Sequence, residues 1–239
     1  MTLKEQITAI CRRVLYFGWH RHCPVCNHSV RAFLEFGIEP RADARCPICG
    51  SLERHRLAIV FFRERTDLFS GKPKGFLHVA PERAFGALFA AAAGAGYLTA
   101  DLAADGIMEK MDVTDIQHPD HTFDIIYCSH VLEHVPDDRK AMGEFYRTLK
   151  PDGWAVLNVP ITADATFEDP LVTAPAERLR LFGQQDHVRR YGPDYRERLV
   201  EAGFKVAQVS PKDLLTDSQI EKFGMSNGAA GDIFYCTKS

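Results

Sequence analysis

The chain has 239 residues, of which 46% are hydrophobic and 26% charged, and its formal net charge is −3. This composition is typical of a soluble protein that buries a core, and it argues against intrinsic disorder. The charge is uneven, because residues 1–65 carry 11 Lys and Arg against 6 Asp and Glu, which leaves 18 against 26 for the remainder. A basic N-terminal part suits an acidic partner or an anionic substrate, but such an excess is also common on solvated surfaces.

From the sequence we expect neither an export signal nor a membrane-spanning helix. Residues 1–20 mix charged with apolar positions, and the longest uncharged run, residues 84–100, is rich in small residues and shorter than the roughly 20 apolar residues that span a bilayer. Seven cysteines include two CxxC pairs, which in a chain without an export signal favours metal binding in a reducing compartment. We therefore expect a cytoplasmic protein with no membrane partner.

The N-terminal segment, residues 1–20, is predicted to contain a helix over residues 3–17. Its apolar positions recur at intervals of three and four, as in one stripe of an amphipathic helix: Leu3, Ile7, Ile10, Val14 and Phe17. Packing on the main domain is favoured over a membrane-surface helix, because basic residues are few.

Two cysteine pairs follow, Cys23 with Cys26 and Cys46 with Cys49. Two CxxC knuckles at this spacing supply four thiolates for a tetrahedral site, whose usual occupant is Zn²⁺, with iron or a redox dithiol as the alternatives. Four protein ligands leave no open position, so the metal is expected to be structural. We assign residues 21–71 to a zinc ribbon and a linking helix over residues 52–69, whose arginines are expected on a solvated or ligand-facing polar side.

Residues 123–160 read as one strand, helix and strand unit. Residues 123–128 and 154–159 are apolar runs typical of buried strands, and apolar residues between them have helical spacing. Pro136 and two aspartates suit the start of the helix, and a turn is predicted at residues 151–153. Neighbouring parallel strands need such a crossover, so the stretch predicts a parallel α/β sheet.

Strands and helices alternate through the rest of residues 72–239, which we predict to be the main domain. Strands are predicted at residues 76–80, 97–101, 204–209 and 233–237, with a weaker one ending near residue 112, and helices at residues 84–93 and 194–202. This is the pattern of a doubly wound α/β sheet, whose ligand site lies beyond the carboxyl ends of its strands.

Within this pattern, the letters FDIIYCSHVLEHVPD, followed by LKPDGW, resemble the fourth-strand motif and the turn into strand five of class I S-adenosylmethionine-dependent methyltransferases. The resemblance covers residues 75–238. It implies a Rossmann-like, seven-stranded, mostly parallel sheet with an antiparallel last strand, and S-adenosylmethionine as cofactor.

The resemblance also carries the family's cofactor contacts onto positions of this chain. Asp101 matches the acidic residue that accepts hydrogen bonds from the two ribose hydroxyls, and Asp112 with Val113 matches the pair at the adenine. The turn after strand four matches the segment beside the methionine part. The expected cofactor-binding positions are His78, Ala80, Glu82, Asp101, Leu102, Asp112, Val113, Cys128 and Ser129. An aspartate after a strand can equally be a turn residue.

One loop departs from the family's pattern. The letters LHVAPERAF place Ala80, Pro81, Glu82 and Ala84 where glycines would let the backbone approach the cofactor. Either the loop follows another path, with Glu82 meeting the cofactor's ammonium group, or cofactor binding has been lost. We favour binding, because the ribose and adenine positions remain suitably occupied.

His130, Glu133 and His134 spell HxxEH, a pattern that binds zinc in proteases when both histidines lie on one helix. Here the pattern follows a strand and precedes Pro136, so we do not expect a protease. Glu133 and His134 are instead expected to be rim or packing residues, with His130 and Glu133 also placed near the methyl acceptor.

An insertion, residues 161–192, follows strand five and is predicted to be a lid or substrate wall. Its Asp186, His187, Arg189 and Tyr191 offer a base, a cation and an aromatic ring. His187 is the candidate general base, because imidazole titrates near neutral pH, although a loop histidine bonded to local backbone is the plain alternative. Methyl transfer from a sulfonium depends mainly on in-line placement and can need no base.

These features predict an S-adenosylmethionine-dependent methyltransferase with a structural zinc ribbon, acting on an oxygen or nitrogen nucleophile. The first choice of acceptor is a small molecule, and the second is RNA or protein recruited by the basic ribbon. The rival from another class is a non-catalytic binding module with a degenerate methyltransferase fold. The sequence does not indicate an oligomeric state.

Overall fold

A computed structural model describes residues 10–238, and the contacts of the chain divide it into two compact units. The first unit comprises the residues up to Ser70 together with Glu82–Ala87 and Val209–Asp232, and the second comprises Gly71–Pro81, Leu88–Gln208 and the residues from Ile233. Two later segments are thus grouped with the N-terminal part. The contiguous domains 1–20, 21–71 and 72–239 stay a prediction from the sequence.

The elements alternate along the chain. The strands are β1 (Phe17–Cys23), β2 (His28–Val30), β3 (Leu34–Phe36), β4 (Arg41–Arg45), β5 (Phe76–Val79), β6 (Tyr97–Asp101), β7 (Glu109–Lys110), β8 (Phe123–Ser129), β9 (Leu149–Asn158), β10 (Phe167–Glu168), β11 (Arg189–Arg190), β12 (Lys205–Val209) and β13 (Ile233–Thr237). The helices are α1 (Glu53–Arg65), α2 (Gly86–Ala93), α3 (Asp138–Thr148), α4 (Pro175–Phe182), α5 (Tyr195–Glu201) and α6 (Asp217–Lys222). None of the helices within residues 10–238 is long and apolar enough to cross a membrane.

The N-terminal helix ends earlier than the sequence pattern predicted. Residues 10–15 are helical, and residues 3–9 of the predicted helix lie outside the described residues. The chain then enters β1 at Phe17, because residues 17–23 pair antiparallel with β2. Trp19 therefore lies on a strand.

The first unit contains two short hairpins, β1 with β2 and β3 with β4, followed by α1. The prediction that the α1 arginines share a polar face is wrong for Arg56, which is fully buried. Its guanidinium donates hydrogen bonds to the carbonyl oxygens of Ala44, Ser51 and Gly224. It also lies 4.2 Å from the centre of the Phe33 ring. A buried cation is stable here because backbone acceptors replace its hydration.

The second unit is built on a seven-stranded sheet of order β12, β13, β9, β8, β5, β6, β7, which confirms the predicted Rossmann-like sheet. The pairs linking β9, β8, β5, β6 and β7 are parallel, and β13 is antiparallel to β9. β5 and β8 are apolar and buried on both faces, as expected of central parallel strands. The strand order reverses between them, so the crevice for a ligand lies at their carboxyl ends.

The central strand, helix and strand unit forms as the sequence predicts, with one correction. Asp137 caps α3 by accepting a hydrogen bond from the Lys140 N–H, and Met142 and Phe145 are fully buried. The predicted turn at residues 151–153 is wrong, because β9 already begins at Leu149. Leu149 pairs with Phe123 and Trp154 with Ile125, so the residues between them form a bulge within the strand.

Candidate functional site

Two residues at the carboxyl ends of β5 and β8 have left-handed backbones. Ala80 has φ of 46° and His130 has φ of 57°. Both are held by sheet-type hydrogen bonds, from the Ala80 N–H to the Ala100 carbonyl and from the His130 N–H to the Asn158 carbonyl, each 2.8 Å. This conformation costs an L-residue about 1–2 kcal/mol and concentrates at ligand sites. Both residues flank the point where the strand order reverses.

The loop after β5 therefore keeps a glycine-like turn without a glycine. Ala80 adopts at this position the conformation that a glycine would adopt readily. Glu82, two residues on, belongs to the first unit, where its Oε1 lies 2.6 Å from His55 Nε2 and 3.4 Å from Arg54 Nε. His55 Nδ1 accepts a hydrogen bond from the Leu52 N–H, so the proton on Nε2 points to Glu82. The contact of Glu82 with a cofactor ammonium group stays a prediction.

Asp101 lies at the end of β6, beside β5. Its Oδ1 accepts hydrogen bonds from the N–H groups of Ala103 and Ala104, both 2.8 Å, so it closes the turn that the sequence allowed. Oδ2 accepts none from the part of the chain that the structure describes. Leu102, the next residue, is exposed. One oxygen of this carboxylate therefore has no hydrogen bond from residues 10–238, and its contact with a ribose stays a prediction.

Asp112 lies in an exposed turn after β7, next to the buried Val113. Its Oδ1 accepts hydrogen bonds from the Thr114 N–H and the Thr114 hydroxyl, both 2.8 Å. These bonds hold the pKa of Asp112 below its ordinary value. The carboxylate is therefore charged at neutral pH, and its contact with adenine stays a prediction.

Three further expected cofactor positions are buried. His78 is enclosed by aromatic rings, with its Nδ1 2.8 Å from Tyr97 Oη, so only its backbone could reach a ligand. Cys128 belongs to the apolar core of the second unit. Ser129, at the end of β8, is buried, and its hydroxyl has no hydrogen-bond partner within residues 10–238. An unsatisfied buried hydroxyl at this edge needs an explanation, and a bound ligand supplies one.

The HxxEH letters form a turn and not a helix. The structure nevertheless brings Glu133 and His134 together with His187 from the insertion, with one ligand atom of each within 4.8 Å of the others. His130 Nδ1 lies 3.5 Å from Glu133 Oε1. Burial raises the pKa of Glu133, but the neighbouring histidines outweigh it and the net shift is downward. Burial lowers the pKa of His187, so both groups are in their metal-binding and proton-accepting forms near neutral pH.

The insertion is ordered by residues whose burial the sequence did not predict. Arg189 is the first residue of β11, which pairs antiparallel with β10. Its guanidinium donates hydrogen bonds to the Leu132 and Pro136 carbonyls of the β8 loop, both 2.7 Å, to the Val135 carbonyl, 2.5 Å, and to Glu168, 2.8 Å. The Tyr191 hydroxyl donates to Asp138, 2.7 Å. Neither side chain is a free surface platform. The only sequence signal was an arginine beside an aromatic residue in a long loop.

The four cysteines of the first unit lie at the ends of its hairpins and form a second cluster. Cys23 Sγ is 3.6 Å from Cys49 Sγ, and Cys26 Sγ is 3.9 Å from Cys46 Sγ. Zn–S bonds of about 2.3 Å give sulfur separations of about 3.8 Å in a tetrahedron. The thiols of the other three cysteines hold the pKa of Cys23 far below its usual range. The set fits a closed tetrathiolate site, as the spacing predicted.

A hydroxyl that sequence reasoning missed supports this cluster. Ser51 is fully buried, and its Oγ lies 3.1 Å from Cys23 Sγ and 3.2 Å from Cys49 Sγ. Such outer contacts orient metal ligands. The sequence indicated this contact only through the position of Ser51, which directly follows the CxxCG letters of the second cysteine pair.

The first unit also contains an open cleft of about 750 Å³ beside the second cysteine pair. Arg12, Arg45 and Arg83 line it together with Tyr16 and Phe36. The guanidinium of Arg45 lies 5.3 Å from the centre of the Phe36 ring. Two of the basic residues of this part of the chain, Arg12 and Arg45, thus line a concave surface, together with the acidic Glu82.

Comparison with known proteins identifies the family. The sequence profile of the methyltransferase-domain family matches residues 66–209, which is more than half of the chain. The chain therefore belongs to this family. A search of curated proteins finds no match.

Solved structures with a similar fold include three that illustrate its range. An S-adenosylmethionine-dependent methyltransferase from Mesorhizobium loti is 17% identical over 70% of this chain and 91% of its own, with a TM-score of 0.47. The 1,6-didemethyltoxoflavin-N1-methyltransferase of Burkholderia thailandensis, solved with 1,6-didemethyltoxoflavin and S-adenosylhomocysteine, is 17% identical over 78% of each chain, with a TM-score of 0.48. The [4+2]-cyclase SpnF is 16% identical over 77% of this chain and 81% of its own, with a TM-score of 0.48. Likenesses at this level carry no information on the reaction.

Proposed function

We propose that the protein is an S-adenosylmethionine-dependent methyltransferase that acts on an oxygen or nitrogen of its acceptor. The observation that carries the proposal is the pair of left-handed residues, Ala80 and His130, at the carboxyl ends of adjacent strands where the strand order reverses. This is where doubly wound sheets bind their ligands, and family membership supports a methyl group as the transferred unit.

The residues around this point fit the cofactor. Asp101 offers a carboxylate oxygen to the ribose, and Asp112 offers a charged acceptor to the adenine amino group. The Ser129 hydroxyl and the turned backbone after β5 and β8 supply polar groups for the methionine part. The bound cofactor would supply an electrophilic methyl group on a sulfonium.

The protein's part in the reaction is to place the acceptor and dispose of its proton. In-line placement supplies most of the rate in reactions of this kind. His187 Nδ1 lies 3.2 Å from the Phe182 carbonyl, which can only accept, so the neutral ring has its lone pair on Nε2. His187 lies beside Glu133, whose other neighbour is His130, and would take up a proton from an acceptor at the end of β8.

We assign Zn²⁺ to the four cysteines as a structural ion. The sulfur separations and the support from Ser51 favour it over a redox dithiol, because all four sulfurs converge on one point. With four protein ligands, it would hold the hairpins of the first unit and leave no position for substrate.

A small-molecule acceptor is our first proposal, since the insertion adds a wall beside the expected transfer site. A macromolecular acceptor is the second candidate, and the cleft of the first unit favours it. Its arginines and rings are groups that bind phosphates and bases, and Phe17 and Trp19 are exposed on the same unit. Tight RNA binding that weakens steeply with salt would support the second candidate over the first.

Isothermal titration of the zinc-loaded protein with S-adenosylmethionine tests the proposal. We expect saturable binding of one molecule per chain, with Asp101→Ala as the matched variant that binds more weakly. The non-catalytic alternative expects no binding, and a flat titration of folded protein would establish it instead.

A further inference from the structure

We propose that Glu133, His134 and His187 form a second metal site, which binds a divalent first-row transition ion such as Zn²⁺. The three residues come from the turn after β8 and from the insertion, and one ligand atom of each lies within 4.8 Å of the others. The inference stands without the proposed function, because it needs neither the cofactor nor an acceptor.

Two buried ligand atoms of this cluster lack partners. Glu133 is 2% exposed and His187 is 6% exposed. Glu133 Oε2 and His187 Nε2 have no hydrogen-bond partner among the described residues. A buried carboxylate oxygen and a buried imidazole nitrogen are costly to leave unsatisfied, and one ion would satisfy both.

The remaining polar atoms of the three residues are held by outer contacts. The Phe182 carbonyl accepts from His187 Nδ1, and Asp186 Oδ2 lies 3.2 Å from His134 Nδ1. The other carboxylate oxygen of Glu133, Oε1, lies 3.5 Å from His130 Nδ1. Protein metal sites use the same arrangement, in which a carbonyl or carboxylate fixes the far nitrogen of each ligating histidine.

The donor set narrows the class of ion. Two imidazoles and one carboxylate suit Zn²⁺ or Fe²⁺, whereas Mg²⁺ and Ca²⁺ prefer oxygen ligands and Cu⁺ prefers sulfur. Three protein ligands leave a coordination position for water or a substrate oxygen. The side chain of His134 is 33% exposed, so this cluster reaches solvent on one side.

The site differs from the protease arrangement that the letters HxxEH spell. His130 does not pair with His134 across a helical turn, because residues 132–134 form a turn. In the proposed site the second histidine ligand is His187 and not His130. The ring centre of His187 lies 4.6 Å from that of His134. A metal on His187 Nε2 would occupy the lone pair that a general base needs, so the two roles exclude each other.

Metal content is the direct test. The wild-type protein is equilibrated with Zn²⁺, desalted and analysed for zinc per folded chain. We expect two ions for the wild type, and one for His134→Ala and for Glu133→Gln. The matched control is His118→Ala, which removes a histidine bonded to Glu109 in the same unit and should keep both ions.

A spectroscopic measurement separates this site from the cysteines. Adding Co²⁺ to protein that carries one equivalent of Zn²⁺, at the four cysteines, should give ligand-field bands without thiolate charge transfer, and His134→Ala should abolish them. Because the His134 side chain is partly exposed, that variant is expected to fold even where Glu133→Gln does not. A single ion per wild-type chain, or a second ion that survives in His134→Ala, would overturn the proposal, whatever the result with S-adenosylmethionine.

Discussion

The Asp101 carboxylate closes a turn and is proposed to bind the cofactor's ribose as well. Oδ1 closes the turn after β6 through the N–H groups of Ala103 and Ala104, and Oδ2 remains for a ligand. The turn role and the ribose role are therefore compatible, and substitutions can separate them. Asparagine keeps one acceptor oxygen for the turn, whereas alanine keeps none.

We expect Asp101→Ala to weaken S-adenosylmethionine binding by about 1–3 kcal/mol, because hydrogen bonds to a charged acceptor are lost. Asp101→Asn should keep the melting temperature of the wild type and still bind more weakly, since it loses the paired acceptors. Isothermal titration with both variants measures this. Wild-type affinity in both would remove Asp101 from the cofactor site.

The HxxEH letters show the limit of sequence reasoning at the scale of single residues. Their position between a strand and Pro136 indicates that they do not form a helix, and the structure has a turn there. No local pattern could indicate that His187, more than fifty residues later, packs against His134. That contact depends on the path of the whole insertion.

At the scale of elements, the insertion is fixed to the β8 loop by buried hydrogen bonds. Arg189 donates to three carbonyls of that loop and to Glu168, and Arg198 links Glu168 with Asp138. A lid that opens freely would not bury such groups. These bonds hold the insertion against the β8 loop, and its role as a substrate wall stays a proposal.

Replacing Arg189 by methionine should lower the free energy of unfolding by about 3 kcal/mol, because three loop carbonyls lose this donor in the interior. The control is Arg139→Met, which removes an exposed ion pair with Glu201 and should cost less than about 1 kcal/mol. Urea unfolding of both variants measures the difference. Equal effects would show that the Arg189 network does not fix the insertion.

Glu168 makes this network sensitive to pH. Burial raises the pKa of Glu168, but hydrogen bonds from Arg198 and Arg189 outweigh it and the pKa lies below 4.5. A depressed carboxyl pKa stabilises the fold above the unfolded value and loses this contribution as pH falls through the folded value. Glu168→Gln should thus be less stable than the wild type at pH 7, with the difference shrinking below pH 4.5 in urea titrations. A difference that stays constant with pH would contradict this.

The sequence predicted best those elements that depend on residues near one another in the chain, such as apolar spacing and helix caps. Residues 97–101 and 233–237 are strands within the same bounds, and α3 has its cap and its buried Met142 and Phe145 where spacing placed them. The bulge in β9 was missed because only pairing with β8 shows it. The burial of Arg56 and Arg189 was missed because it depends on carbonyl groups distant in sequence.

At the scale of the whole molecule, the chain joins a cysteine cluster and a methyltransferase sheet in two compact units. Segments of the chain after β5 and after β12 belong to the first unit. Its stability should therefore depend on the four cysteines, while the sheet of the second unit should not.

Replacing Cys46 and Cys49 by serine should remove the zinc ion of the first unit and unfold its hairpins, because the free energy of metal binding contributes to the folding of such a unit. We expect the methyltransferase unit to keep most of its affinity for S-adenosylmethionine. Zinc content, circular dichroism and titration of the same sample measure this. Complete loss of cofactor binding would show that the two units are not independent.

The central claim is that the left-handed turns after β5 and β8, although one lacks its glycine, form a working cofactor site. Titration of folded, zinc-loaded wild-type protein with S-adenosylmethionine tests it most directly. We expect one-to-one binding with a Kd of about 1 μM to 1 mM, the ordinary range for enzyme substrates. No heat of binding up to millimolar cofactor would contradict the claim and leave a methyltransferase fold without its cofactor.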